Sequence, residues 1–177
     1  MENSSNDNLS QNFLAYLRER REDRGVMANL RSGLVEGRKR RAWPIIAAFN
    51  GIGDQHRNRV VRTVAGLYAA HPKEANRGDF GATCRALVGE EERKKLAEGG
   101  EPGPVSKRFL HLLAAEDGEI FDRVVSLALR AKTHNDGIPI NYERLFWDLW
   151  AWEGQADRVR ERWARNFWAP RSEGGES

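Results

Sequence analysis

Apolar residues recur at three- and four-residue intervals in one segment of this chain after another, and nowhere is there sustained period-two alternation. The first spacing lines up one face of an α-helix and the second one face of a strand, so the pattern predicts an all-α fold with no sheet. Phe13, Leu14 and Leu17 share one helical side, and Val26, Met27, Leu30 and Leu34 share the next. Val60, Val61, Val64, Leu67 and Tyr68 follow. Later faces are Val105, Phe109 and Leu112; Ile120, Val124 and Leu127; Tyr142, Leu145 and Leu149; and Val159, Trp163 and Phe167. Breakers separate these stripes. Pro44 suits a first turn, Gly51-Ile52-Gly53-Asp54 reads as a turn, and Gly137 suits a left-handed position after a helix. Asn141 suits an N-cap, and Pro170 closes the last helix.

At 177 residues the chain can bury one core or two small ones. The spacing of the breakers divides it into a polar, disordered tail at 1–9, with Ser10 as the first N-cap, and an N-terminal lobe at 10–88. A C-terminal lobe follows at 105–170, and 171–177 form a second disordered tail. The two lobes are expected to be two small helical bundles packed into one elongated chain. Between them, residues 89–104 combine Glu90-Glu91-Glu92 with four glycines and two prolines, the composition of a linker or mobile loop.

Of 29 cationic side chains, 23 are Arg and 6 are Lys. Arginine adds to its charge a planar fork of donors that grips phosphate and stacks on flat rings. Residues 1–88 carry 15 basic and 9 acidic groups, so the first half is the cationic half. Arg24 and Arg31, seven residues apart, share a stripe beside the apolar face of their helix. Arg57, Arg59, Arg62, Arg85 and Arg108 mostly lack an acid at helical spacing, so a polyanion would relieve their mutual repulsion. On the last helix Arg158, Arg162 and Arg165 are expected to face outward. Trp147 and Trp168 fall off the apolar stripes of their helices, which suggests a protein interface or packing against a neighbouring segment.

Catalytic machinery is not visible. His56, His71, His111 and His134 show no i, i+4 pair, and the lone Cys84 reads as a small buried filler. No catalytic residue, metal site or cofactor is expected. The thiol usage fits a reducing cytoplasm, residues 1–12 hold no apolar signal segment, and no apolar run approaches the ~20 residues of a membrane span. His111 and His134 each sit on a polar edge near cations. On the residues alone, a helical sequence-specific DNA-binding regulator and a helical adaptor anchored by its tryptophans stay open beside a protein that holds a nucleic-acid backbone.

Four segments, in order, resemble the CasB family, the small subunit of the type I-E CRISPR Cascade complex. They are Arg24-Gly25-Val26-Met27-Ala28-Asn29-Leu30-Arg31; Trp43-Pro44 with its apolar turn; the run Lys107 to Glu116; and Pro139-Ile140-Asn141-Tyr142 through Asp148-Leu149 and Trp152 to Trp163-Ala164-Arg165-Asn166-Phe167-Trp168. The resemblance spans about residues 12 to 168. It implies a non-catalytic subunit that lies beside the crRNA-bound backbone subunits and the large subunit, as one of two copies. It also implies a basic surface that stabilises the R-loop by holding the target DNA strand and the displaced single strand. Carried over by motif, the nucleic-acid-binding residues are Arg24, Arg31, Lys107, Arg108 and His111; Arg62, Arg85, Arg130 and Arg158 are added by position.

Overall fold

The computed structural model describes residues 2–170, so the tail expected at 171–177 lies outside the described residues. The helical expectation is met: helices make up nearly all the regular structure, and the described residues contain no strand beyond one isolated bridge between Glu74 and Ile140. Helix α1 spans Glu2–Glu19, α2 Arg24–Ser32, α3 Trp43–Ile46, α4 His56–Ala70 and α5 Phe80–Ala86. Helix α6 spans Glu90–Ala97, α7 Pro104–Leu113, α8 Ile120–Thr133 and α9 Tyr142–Trp168. Short 3-10 turns at Glu36–Arg41 and Ala47–Phe49 flank α3.

Helix α4 is the axle. Every residue from Val60 to Ala69 is buried, because α2, α8 and α9 cover it from different sides. One continuous core therefore runs through both halves of the chain, from Phe13 and Leu30 to Trp163 and Phe167. Polar ties cross the same boundary. The Tyr142 hydroxyl donates to Leu67 O at 3.1 Å and to His71 O at 2.5 Å. His56 Nε2 donates to Leu149 O at 2.6 Å, and His71 Nε2 to Ile138 O at 2.7 Å. The two halves meet as one packed unit rather than each closing over its own interior.

Local expectations held where a single residue type decides the backbone. Asn141 caps α9 by accepting from Arg144 N at 3.0 Å, and Gly137 is left-handed with φ 85°. Helix α9 breaks at Glu153–Gln155, where Gly154 takes φ 96°, so the two helices expected on either side of residue 154 are present. Cys84 is fully buried, and burial pushes its thiol well above the usual range.

Three expectations are corrected. Helix α1 begins at Glu2, and Ser10 is an interior residue of it, 1% exposed. Ser10 precedes Phe13, Leu14 and Leu17 by three, four and seven residues, so it sits on the inward stripe. Residues 90–97 form helix α6 rather than a loop. Glu92, expected within that linker or loop, has a buried carboxylate that accepts from Ser106 N at 2.8 Å and Val105 N at 3.3 Å. It caps α7 from outside, supplying negative charge where that helix presents free N–H groups.

Candidate nucleic-acid interface

Helix α2 starts where Asp23 accepts from Val26 N at 3.0 Å, and it ends at Gly33. Met27 and Leu30 point into the core, which turns Arg24 and Arg31 along the flank. Together with Arg21 they line a groove of about 380 Å³ whose floor is Met27, Ala69 and Pro72. No carboxylate lines it. Arg31 Nη1 donates to Ala69 O at 3.2 Å, which fixes its guanidinium at the rim. Arg38, seven residues beyond Arg31, lies in the following 3-10 turn and not on α2.

A second groove, of about 780 Å³, runs between α7 and α8. Phe109 and Leu112 anchor α7 inward and leave Lys107, Arg108 and His111 exposed along this groove. Across it stand Arg123 together with Glu119 and Asp122. The two acids offset much of the cationic charge, so this groove is electrostatically mixed where the α2 groove is not. Arg21 and Arg123 are the cations that motif matching missed. Arg21 lies in the turn between α1 and α2, so no helical spacing links it to Arg24; only the packing of α7 on α8 brings Arg123 to Lys107.

The remaining sites separate. Arg130 is exposed on α8, and Arg158 lines a cavity just past the α9 break together with Glu116, Asp117 and Asp157. Arg62 is corrected outright. It is 6% exposed, donates to Gly53 O at 2.6 Å and pairs with Asp54 at 3.2 Å, so its fork holds the 53–54 turn and cannot reach a polyanion. Lys39 shares Asp54 at 2.8 Å, and that hydrogen bond, with the two neighbouring cations, holds the Asp54 carboxyl below its ordinary value. Arg85 is half-buried and donates to Phe167 O, which draws it toward the C-terminal end of α9. Arg162 is not an outward charge either: it pairs with Asp148 and, at 3.4 Å, with Asp79.

Two of the arginines without an acid at helical spacing, Arg57 and Arg59, have other partners. Arg57 lies over Trp150 at 4.8 Å and Arg59 over Phe121 at 4.4 Å. Arg59 also donates to Gly118 O at 3.1 Å. Trp147 is half-buried, edge-on to Phe146 with centroids 5.2 Å apart. Trp168 is 41% exposed and edge-on to Phe109 at 5.3 Å. Among the described residues no cluster of side chains could hold a metal ion, and no helix is long and apolar enough to cross a membrane.

Comparison with known proteins finds no match among curated sequences. The family described as CRISPR-associated protein Cse2 matches residues 26–168. Among solved structures, a CRISPR-associated protein of the Cse2 family from Thermus thermophilus is similar at 26% identity with a TM-score of 0.67, over 90% of this chain and 97% of that one. CasB from M. ruber is similar at 25% identity and a TM-score of 0.69, over 90% and 92% of the two chains. A chain of a CRISPR RNA-guided surveillance complex shares the fold at 21% identity and a TM-score of 0.61, over 90% and 91%. A family match across most of the chain, on a fold shared with CasB structures over nine-tenths of its length, places this protein in the Cse2 (CasB) family of CRISPR-associated proteins.

Proposed function

We propose that this protein is the non-catalytic small subunit of a type I-E RNA-guided surveillance complex, where it holds the sugar-phosphate backbone of opened DNA and so stabilises the R-loop. Its partners on this reading are the crRNA-bound backbone subunits, the large subunit, a second copy of itself, the target strand and the displaced strand. Sequence is then read by base pairing to the guide, and the protein supplies backbone contacts. The observation that carries the reading is the α2 groove, where Arg21, Arg24 and Arg31 converge with no carboxylate in the lining. Cations held together without counter-charge repel one another, and a phosphate chain relieves that repulsion while releasing its condensed counterions. The α7–α8 groove adds Lys107, Arg108 and His111 as a weaker second contact, since Glu119 and Asp122 face them.

The test pairs Arg24→Ala with Lys107→Ala, two exposed cations with no ion pair among the described residues. Binding of a single strand by the purified protein should fall with salt. The log–log slope of the double variant should be shallower by roughly 0.7 for each phosphate it no longer neutralises. R-loops formed by the reconstituted complex should dissociate faster at unchanged helical content. Unaltered salt slope and R-loop lifetime would remove these residues from the interface.

A further inference from the structure

Two residues that the sequence assigns to different tasks meet in one cleft. Arg85 on α5 and Trp168 at the end of α9 line a cavity of about 290 Å³, with Arg93 and Leu96 of α6 opposite and Val88 and Phe167 beneath. We propose that this cleft captures one unstacked base of a single-stranded nucleic acid, the base lying on the Trp168 ring and its flanking phosphate on Arg93 and Arg85. The inference rests on the nucleic-acid-holding role proposed above and adds a base contact to it.

Three observations carry it. The first is the ring. Trp152 and Trp163 are fully buried, and Trp43, Trp147 and Trp150 are half-buried; Trp168 stays 41% exposed at the cleft. Its orientation is set all the same. Phe109 stacks on Phe167 at 4.1 Å, and both meet Trp168 edge-on, at 5.3 and 5.0 Å. A ring already fixed in place has little freedom left to lose when a flat ligand stacks on it.

The second is charge. Arg93 donates one Nη2 bond to Val88 O at 3.2 Å, and Arg85 donates to Phe167 O. Those bonds go to backbone carbonyls, which steady the guanidiniums without neutralising them. No carboxylate lines the cleft, and among the described residues neither arginine has an ion pair. The cavity beside Trp147 contains Glu74 and Glu143, and the one beside Arg158 contains Glu116, Asp117 and Asp157. The third is size. At about 290 Å³ the cleft falls just below the roughly 300–1,000 Å³ of sites for drug-sized ligands, which suits a single base. An aromatic platform beside unneutralised arginines is the arrangement by which sequence-tolerant single-strand binders hold bases.

The experiment measures anisotropy of a labelled oligothymidylate and of an abasic strand of equal length, so that phosphates are matched and only bases differ. Oligouridylate replaces oligothymidylate in a second arm, separating an RNA strand from a DNA strand; a base preference in either arm supports the cleft. The native protein should bind the base-bearing strand about tenfold more tightly than the abasic one. Trp168→Leu should abolish that preference and leave abasic affinity unchanged, whereas Trp168→Phe, which keeps a ring, should retain most of it. Arg93→Ala should weaken both strands. A native protein that binds both strands equally, or a Trp168→Leu variant that keeps the preference, overturns the base-capture site and leaves the backbone-holding role intact. Binding of neither strand overturns both. A labelled carboxylate-ended peptide that binds through Trp168 while neither strand competes with it would assign the cleft to a protein partner instead.

Discussion

Arginine in this protein is a structural residue as much as a surface cation. A guanidinium can cover a ring with its flat face while its edge donates to a carbonyl, which an ammonium cannot do. Arg59 does so between Phe121 and Gly118 O, and Arg160 between Trp152 and Ala115 O, the latter bond at 2.8 Å. The arginine excess is legible in the sequence, but its division between struts and free cations is not. Helical spacing foretells the pairs Asp157–Arg160 and Glu161–Arg165, which form. It cannot foretell Asp148 with Arg162, because the two stand 14 residues apart across a broken helix. Asp148 is the buried hub of that cluster. It accepts from Trp163 Nε1 at 2.7 Å and pairs with Arg162 and, at 3.2 Å, with Arg144. Burial pushes its carboxyl above the ordinary value, against the downward pull of these donors. Asp148→Ala strands a buried indole N–H and a partly buried guanidinium, so urea unfolding should show a loss of about 3 kcal/mol. A loss within ~0.5 kcal/mol, the range of ordinary surface changes, would show that the cluster is not holding the break together.

Elements are joined here by close approach and by caps. Helices α5 and α9 touch at Gly81, where an added Cβ would overlap the Trp163 carbonyl. The obstacle is backbone, which cannot rotate aside as a side chain can. Gly81→Ala should therefore push α5 off α9 and cost roughly 1–3 kcal/mol, read as a lower midpoint in a thermal melt. Gly89→Ala is the matched control, since nothing lies within 4 Å of its added Cβ. Helix ends set by one residue, such as Asn141 or Gly154, could be read from the sequence because the cause is local. Helix α6 could not. Its run of acids and lysines shows no apolar stripe, and what holds it is Glu92 reaching residues 105 and 106 of another helix.

At the scale of the whole molecule, α4 makes the two halves one cooperative unit. Its buried face touches α2 from the first half and α8 and α9 from the second. Neither half can lose its packing without opening the other's core. Unfolding by urea should be a single transition. Far-UV circular dichroism, which reports all helices, should coincide with tryptophan fluorescence, which reports mainly the second half, where five of the six tryptophans lie. Midpoints that separate would mean two independently stable bundles. The same packing places the three basic features around one body: the α2 groove, the α7–α8 groove and the Trp168 cleft.

The all-α class, the helix ends set by one residue, the buried Cys84 and the family are legible in the residue order, because each depends on local spacing, on a single residue type or on ordered motifs. Which arginines are free depends on tertiary packing between elements. Arg24 and Arg62 look alike on a helical wheel. One lines an open groove and the other is spent on the Gly53–Asp54 turn, because a side chain's partners come from whatever element packs beside it. Likewise Arg85 and Trp168, 83 positions apart in the chain, form one cleft only because α5 lies against α9.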